Sequence, residues 1–280
     1  MVGYAIRALG MTTQFRATFV KVLLSAVLVT VMVETSFAQV MVIAPHPDDE
    51  ALFASGIIHS AVLAGKNVKV VILTNGDCDS HDIGPTRQQE TVTAMTRLGL
   101  SANDVIFLGY PDCGIRDIYY LYLDPASQYT SVAGFSQTYG FFGLGNTDYH
   151  RFIYGLPANY NGRQLVGDLR TALRNYKPQD IYVVSSYDAN LDHALTNISL
   201  SEALLAQMAV DPTFQPTIHE AFVHEPCELS CDPSYHWPNP PFTPTVDFSA
   251  PPFLSMTPFN WADREHIVVP SVMQSTTAAS

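Results

Sequence analysis

Residues 40–77 read VMVIAPHPDDEALFASGIIHSAVLAGKNVKVVILTNGD, and this stretch decides the fold. It starts with a short apolar run, residues 40–44, that ends at Pro45. Residues 51–64 have apolar side chains at helical spacing before Gly65, and residues 68–73 form a second, mainly β-branched run. The order strand, helix, strand predicts a β-α-β unit with two parallel strands.

The same alternation continues along the chain. Periodicity predicts helices over residues 86–98, 164–176 and 193–208, and strands over residues 105–108 and 180–185. Such alternation predicts an α/β fold with a Rossmann-like, mainly parallel sheet and helices on both faces.

Residues 111–162 interrupt the alternation. This stretch is rich in aromatic residues and glycine and has no clear period. We interpret it as a long insertion near an edge of the sheet, where its rings could form one wall of a substrate site.

Composition places the chain among globular proteins, since 47% of its 280 residues are hydrophobic and 14% are charged. Its length favours one principal domain, predicted at residues 39–226 and followed by a proline-rich segment, residues 227–280. The formal net charge of -12 disfavours binding to nucleic acid or to an acidic membrane. A neutral substrate such as a sugar fits this charge better.

The first 38 residues have the pattern of a signal peptide. Three basic residues precede an apolar stretch, residues 22–33, and the Ser-Phe-Ala sequence at residues 36–38 is typical of a cleavage site. Cleavage there predicts a secreted or periplasmic protein. The alternative is a retained N-terminal membrane anchor, although the apolar stretch is shorter than the roughly 20 residues of a membrane span.

The chain has an even number of cysteines: Cys78, Cys113, Cys227 and Cys231. An exported protein meets an oxidising compartment, so disulfides are expected, but the sequence does not reveal their pairing. A pair between Cys227 and Cys231 is one candidate. A weaker candidate is a structural zinc site formed by these two cysteines with His219, His224 and His236.

The string Pro45-His46-Pro47-Asp48-Asp49-Glu50 lies where the first strand ends and the first helix begins. In an open parallel sheet, that edge is where ligands bind. If the helix has already begun, His46 and Asp49 lie on one face, and Asp48 turns away from both. His46 and Asp49 are therefore candidate metal ligands. The alternative is that Asp48 or Asp49 only caps the helix.

A catalytic zinc needs about three protein ligands and an open position for water. His193 is the best third ligand because it follows the strand over residues 180–185, at the same edge of the sheet as His46. Asp48 is then the candidate general base, since it lies beside the metal site and is free to face the water.

The Pro-His-Pro-Asp-Asp-Glu string resembles the signature of the PIG-L or LmbE-like deacetylases, and the resemblance extends from Val40 to about Pro226. That family consists of zinc-dependent enzymes that hydrolyse the acetamide group of N-acetylglucosamine in glycoconjugates. The resemblance implies an N-acetylated sugar or glycoconjugate as the substrate, Zn²⁺ as the cofactor and Asp48 as the general base. It implies that the metal ligands are His46, Asp49 and His193.

Three further residues resemble substrate-binding positions of the family. Arg87, in an Arg-x-x-Glu pattern with Glu90, matches an arginine that helps to hold the substrate, and Asp112 matches an acidic residue that binds sugar hydroxyls. The alternative for Arg87 and Glu90 is a solvated pair on the helix surface. Asn190 stands where many relatives have the first histidine of a His-Pro-Asp-His motif. It can donate a hydrogen bond to an oxyanion but cannot release a proton.

We therefore expect a zinc-dependent deacetylase. One alternative is a metal-bearing glycan-binding protein weakened in catalysis by Asn190 and by a truncated C-terminal part, since many relatives continue into a further helix. The other is a metal-dependent hydrolase of a different amide. The free carboxylate of Asp48 favours an enzyme over a binding protein. The sequence does not indicate the oligomeric state.

Overall fold

The computed structural model describes residues 38–78, 80 and 82–224. In this part of the chain, five parallel strands form one sheet in the order β3-β2-β1-β4-β5. The strands are β1 (Val40–Ala44), β2 (Val68–Thr74), β3 (Val105–Tyr110), β4 (Asp180–Val184) and β5 (Thr217–Ala221). Residues 1–37 of the predicted signal peptide and the proline-rich segment 227–280, with Cys227, Cys231 and His236, lie outside the described residues.

The α-helices of these residues pack on both faces of the sheet. They are α1 (Asp49–Leu63), α2 (Ile83–Arg97), α3 (Ile115–Tyr120), α4 (Tyr149–Tyr154), α5 (Gly162–Tyr176) and α6 (Leu191–Met208). Within residues 38–224, apart from positions 79 and 81, no helix combines the length and the apolarity needed to cross a membrane.

Alternate side chains of β1 enter two separate hydrophobic clusters. Met41 and Ile43 pack with side chains of α5 and α6, whereas Val40 and Val42 pack on the other face with side chains of α1 and α2. Every residue of β1 is buried, which explains why its sequence is a continuous apolar run. The parallel sheet with helices on both faces confirms the predicted α/β fold.

The strand order reverses between β1 and β4. Val40 of β1 lies opposite Val68 of β2 on one side and opposite Asp180 of β4 on the other. In doubly wound sheets, the loops that leave two such strands diverge and open a crevice at the carboxyl edge. Because His46 follows β1 and His193 follows β4, this topology directs both histidines to the same crevice.

All four predicted helices begin two or three residues earlier than predicted, and the local cause is clearest for α6 and α2. α6 begins at Leu191 because the side-chain oxygen of Asn190 accepts a hydrogen bond from the backbone N–H of Asp192, a helix N-cap. His193 is therefore in the first turn of α6 and not its first residue. α2 begins at Ile83, two residues before Pro85. The proline does not prevent this start, because backbone N–H groups in a first turn have no partner within the helix.

The edge strand β5 was not predicted. Its side chains are exposed or half-buried, and the sequence Thr-Ile-His-Glu-Ala has no apolar pattern that would reveal a strand. Its pairing with β4 comes from the backbone, with Ile181 opposite Ile218. Such a strand is recognisable only once its neighbour is in place.

Residues 111–162 are in part core and not only an insertion at the edge. Tyr149 and Tyr160 are fully buried and join the hydrophobic cluster that contains Tyr110 of β3. Gly109 has a φ of +83°, and a Cβ there would collide with the backbone of Tyr139, so the close approach of this segment requires glycine. The segment is therefore anchored directly beside the carboxyl end of β3.

Candidate metal centre and active site

Three potential ligand atoms converge at the crevice between β1 and β4. The Nδ1 atom of His46 lies 3.2 Å from the Oδ2 atom of Asp49 and 3.1 Å from the Nε2 atom of His193, and Nε2 of His193 lies 3.2 Å from the same oxygen. Ligands about 2.0–2.1 Å from a tetrahedral zinc ion are separated by about 3.3–3.4 Å. The observed triangle therefore matches the size of one face of a zinc coordination sphere.

The other nitrogen of each ring faces carboxylates. Nε2 of His46 lies 3.1 Å from Oδ1 of Asp112 and 3.6 Å from Oδ2 of Asp192. Nδ1 of His193 lies 3.4 Å from Oδ2 of Asp188. These carboxylates favour the tautomers in which the outer nitrogens hold the protons. The lone pairs of His46 Nδ1 and His193 Nε2 then point, with the Asp49 carboxylate, at the centre of the triangle, an arrangement that suits a cation.

The electrostatics of the triangle agree with this interpretation. Burial alone would lower the pKa of His46, but the carboxylates of Asp112, Asp192 and Asp49 raise that pKa well above its ordinary value. Burial likewise opposes a charged His193, yet Asp188 and Asp49 raise its pKa. Burial would raise the pKa of Asp49, whereas the two histidines lower it. The surrounding carboxylates therefore stabilise positive charge at this position, as protons or as a metal ion.

Asp48 lies outside the triangle, as predicted. Its side chain is 61% exposed, and its Oδ2 atom accepts a hydrogen bond of 2.9 Å from Nη2 of Arg87. Desolvation of the carboxyl and the neighbouring Asp49 charge raise the pKa of Asp48, and the Arg87 guanidinium opposes them. Asp48 is thus a carboxylate beside the candidate metal site, accessible from solvent and oriented by an arginine.

Arg87 faces the crevice and not only the helix surface. Besides Asp48, its guanidinium donates to the backbone oxygens of Pro47 and Gly76, at 2.7 and 3.2 Å. A Cβ at position 76 would lie 2.7 Å from Nη1 of Arg87, so Gly76 provides the space for this side chain. The structure therefore favours the site assignment of Arg87 over the alternative of a solvated pair with Glu90, and its contacts are with the loop of the candidate base.

Asp112 lies in the site, where its carboxylate faces two other residues of the chain. One carboxylate oxygen faces His46, and the other lies 3.6 Å from Nη1 of Arg87. The backbone N–H of Asp112 donates to Oδ1 of Asp77 at 3.1 Å, which ties the loop after β3 to the loop after β2. Asp112 is thus placed to orient His46, and its predicted role in binding sugar hydroxyls stays a prediction.

A disulfide joins the same two loops one residue further along. Cys78 is bonded to Cys113, 35 residues away in sequence. The pairing could not be read from the sequence, since four cysteines allow three connectivities. The crosslink and the Asp77–Asp112 hydrogen bond together hold Asp112 against His46.

Replacing Cys78 and Cys113 together by serine is expected to lower the free energy of unfolding by about 3–4 kcal/mol, because the crosslink restricts the unfolded chain over 35 residues. Urea denaturation of the wild type and of the double variant under oxidising conditions measures this difference. A reductant should destabilise the wild type by a similar amount and leave the double variant unchanged. Equal denaturation midpoints for the two oxidised proteins would contradict the prediction.

Residues 41–204 match the sequence model of PIG-L, which is described as GlcNAc-PI de-N-acetylase. This match covers more than half of the chain and includes the three residues of the triangle. The chain belongs to the PIG-L family. No curated protein sequence matches it significantly.

Several solved structures resemble the PIG-L domain at low sequence identity. A conserved protein from Thermus thermophilus is 21% identical with a TM-score of 0.41, and the match covers 60% of this chain and 56% of that one. The N,N'-diacetylchitobiose deacetylase from Pyrococcus horikoshii is 18% identical with a TM-score of 0.38, and the match covers 77% of this chain and 70% of that one. The 4-carboxy-2-hydroxymuconate hydratase from Pseudomonas putida is 17% identical with a TM-score of 0.38, and the match covers 65% of this chain and 62% of that one. The chain thus spans 56–70% of the length of these three structures.

Asn190, the departure from the family pattern, has a structural role in this PIG-L chain. Its side-chain oxygen caps α6, and its backbone N–H donates to Oδ1 of Asp188 at 3.0 Å. The side-chain amide nitrogen can still act as a hydrogen-bond donor. Asn190 therefore stabilises the turn that presents His193, and it supplies no titrating group.

His224 was not recognised as part of this site. Its ring centroid lies 4.8 Å from that of His193, and the backbone N–H groups of Val223 and His224 donate to Oδ2 of Asp188. His219, in contrast, lies 3.0 Å from Asp180 and stacks on Tyr182. The segment after β5 thus contacts Asp188 and His193 of the candidate metal centre, and no sequence signal indicated this because the strand before it was not recognised.

Part of the predicted aromatic wall lies next to the site. The rings of Phe135 and Tyr139 are 4.4 Å apart, and those of Tyr139 and Phe141 are 5.7 Å apart. The Tyr139 hydroxyl donates to Oδ2 of Asp77, whose other oxygen holds the backbone of Asp112. The aromatic row Phe135–Tyr139–Phe141 is therefore linked to the metal-site loops by two hydrogen bonds.

Proposed function

We propose that this PIG-L chain is a zinc-dependent hydrolase that removes the acetyl group from N-acetylglucosamine-type sugars or glycoconjugates. The main support is the triangle formed by His46, Asp49 and His193 together with an accessible carboxylate, Asp48, that is not part of it. A binding protein has no need for the second feature.

His46, Asp49 and His193 would hold the zinc ion through Nδ1, Oδ2 and Nε2. When bound, zinc supplies Lewis acidity, which polarises an amide carbonyl and lowers the pKa of a water molecule. Asp112 and Asp188, which lie 3.1 and 3.4 Å from the outer ring nitrogens, would favour the tautomers that this coordination requires.

Asp48 would accept the proton of the attacking water. Its raised pKa makes it a stronger base than an ordinary aspartate, and Arg87 fixes one of its oxygens. We assign Arg87 first to orienting Asp48, because its guanidinium contacts join the Asp48 and Asp112 carboxylates and two backbone oxygens. Contact between Arg87 and the substrate remains part of the proposal.

The amide nitrogen of Asn190 would donate a hydrogen bond to the developing oxyanion. Removal of one such donor from a preorganised site typically costs about 3–4 kcal/mol in the transition state. Since an amide has no proton to release, the proton for the departing nitrogen would return from Asp48 or come from another group.

A neutral sugar substrate agrees with the charge and the walls of the site. The formal net charge of -12 disfavours anionic ligands. The aromatic row offers ring faces on which apolar sugar faces can stack, and Phe141 is its most exposed member.

Acetate release from a panel of N-acetylglucosamine conjugates tests the proposal. The zinc-loaded protein is expected to release acetate, activity should disappear with a chelator, and added zinc should restore it. The Asp48→Asn variant, assayed in parallel, excludes a contaminating hydrolase if it is inactive. Absence of acetate from every conjugate would refute the proposed activity.

Asn190 favours a second candidate, a glycan-binding protein with weakened catalysis. The two candidates differ in one measurement: saturable binding of the conjugates by calorimetry without acetate release supports the binding protein. Acetate release from N-acetylated compounds other than sugars would support a hydrolase of another amide.

We further propose that the protein is exported, because residues 1–38 have the pattern of a signal peptide and Cys78 is disulfide-bonded to Cys113. N-terminal sequencing of the mature protein is expected to begin at Gln39. A mature protein that starts at Met1 and fractionates with membranes would indicate a retained anchor instead.

A further inference from the structure

The peptide bond between Pro47 and Asp48 is held from both sides. Its carbonyl oxygen accepts a hydrogen bond of 2.7 Å from Nη2 of Arg87. Its N–H group donates a hydrogen bond of 3.0 Å to Oε2 of Glu50. Arg87 is a charged donor, and a hydrogen bond from a charged group is stronger than one between neutral groups.

This peptide determines an unusual backbone conformation at Asp48. Asp48 has a φ of 122° and a ψ of -33°, a region that non-glycine residues rarely occupy and that costs about 1–3 kcal/mol. Rotation of the Pro47–Asp48 peptide would bring φ back toward negative values. The same rotation would turn the carbonyl away from Arg87 and the N–H away from Glu50, so both hydrogen bonds oppose it.

The environment of Glu50 does not by itself require a carboxyl group. Glu50 is 0% exposed, and its Oε1 atom accepts no hydrogen bond from the residues that the structure describes. Burial of a carboxylate is unfavourable unless it is compensated, and a methionine of similar length would fill the space without that cost. The hydrogen-bond donors to the carboxyl are the N–H of the candidate base and the N–H of Glu50 itself.

We propose that Glu50 is a positioning residue, which acts with Arg87 on the Pro47–Asp48 peptide to hold the Asp48 carboxylate in place as proton acceptor. Asp48 is thus fixed at two points: Glu50 acts on its backbone, and Arg87 acts on its backbone and its carboxylate. This role rests on the proposed function of Asp48, whereas the backbone arrangement itself can be tested independently.

The test compares two substitutions of similar size. Glu50→Gln keeps an acceptor oxygen, whereas Glu50→Met keeps the volume and removes the acceptor. If Glu50 positions Asp48, the Met variant should lose about 100-fold in kcat, the effect typical of a misplaced catalytic group, with little change in KM or zinc content. The Gln variant should stay closer to the wild type. A role in packing alone predicts the opposite order, because a buried amide is worse accommodated than a thioether.

A second readout uses hydrogen exchange in the metal-free protein. The Asp48 amide should be protected in the wild type and in Glu50→Gln, and should lose its protection in Glu50→Met. Because this measurement needs neither zinc nor substrate, it distinguishes failure of the positioning role from failure of the proposed function. If Glu50→Met does not fold, Glu50→Asp replaces it, since the shorter side chain keeps a carboxyl group but falls short of the Asp48 N–H. Unchanged protection of Asp48 in the folded variant, or a kcat equal to that of the wild type in an active enzyme, would overturn the proposal.

Discussion

Replacement of Asp48 by asparagine is expected to lower kcat by about 100- to 10,000-fold, the range for loss of a positioned acid–base group, and to leave zinc content near that of the wild type. Asparagine has the shape of aspartate and can still accept a hydrogen bond from Arg87, but it cannot take a proton from water. The triangle of His46, Asp49 and His193 does not include Asp48, so the metal ligands are untouched. Steady-state kinetics together with metal analysis of the same preparation measures both effects.

The outcome separates the two kinds of aspartate in the Pro-His-Pro-Asp-Asp-Glu string. Asp49→Asn is the matched control, since it makes the same chemical change one residue further along. It should reduce zinc content, whereas Asp48→Asn should not. Equal loss of zinc in both variants would mean that Asp48 is a ligand and that the base lies elsewhere.

Loss of a metal ligand is the second large effect. His193→Ala is expected to weaken zinc binding by more than about 100-fold, since loss of a residue that only orients a ligand already costs about 10- to 100-fold. Asp188→Asn, which alters the carboxylate facing Nδ1 of His193, should fall in that lower range. Competition with a chromophoric chelator gives the affinities. The assignment of Asp188 fails if its variant binds zinc as tightly as the wild type.

Zinc binding is also expected to release protons and to weaken as the pH falls. The nearby carboxylates raise the pKa values of His46 and His193, so below those values the imidazoles hold protons that must leave before the metal binds. Higher pH removes these protons and strengthens binding. Calorimetry in buffers with different ionisation enthalpies counts the protons released, and a count of zero at neutral pH would contradict the assignment of the two histidines as ligands.

The predicted fold followed from local patterns. Residues 40–77 contain a buried strand, a helix and a second buried strand, and each has a length and periodicity that the sequence displays. β5 escaped prediction because an exposed edge strand shows neither an apolar run nor alternation. α6 and α2 begin before their apolar patterns do. Asn190 caps α6 ahead of its first apolar-periodic residues, and the first turn of α2 accommodates Pro85.

Some features of the site could also be predicted from one motif and one rule. His193 reaches His46 because the carboxyl ends of parallel strands meet at one edge. His46 and Asp49 were expected to share a helix face, but α1 begins only at Asp49 and Asp48 has a φ of 122°, so the two side chains meet through a turn in which the Asp49 N–H donates to the His46 carbonyl oxygen. The resemblance to the PIG-L family pointed to Asp48, Arg87, Asp112 and Asn190. The structure brings Arg87 and Asp112 to the candidate centre, where they contact Asp48 and His46, and their expected contacts with a substrate stay a prediction.

By itself, the sequence determined the α/β architecture, the edge at which the site lies and the identity of the three converging side chains, because strand periodicity, helical spacing and parallel topology are properties of short segments. Only the tertiary structure decided the pairing of Cys78 with Cys113 and the contact of His224 with His193. It also decided the hydrogen bonds of Glu50 and Arg87 to the Pro47–Asp48 peptide. Most of these contacts join residues far apart in the chain, and even the Asp48–Glu50 contact requires a φ of 122° at Asp48. Such distances and backbone angles depend on the packing of the whole domain, which no local pattern encodes.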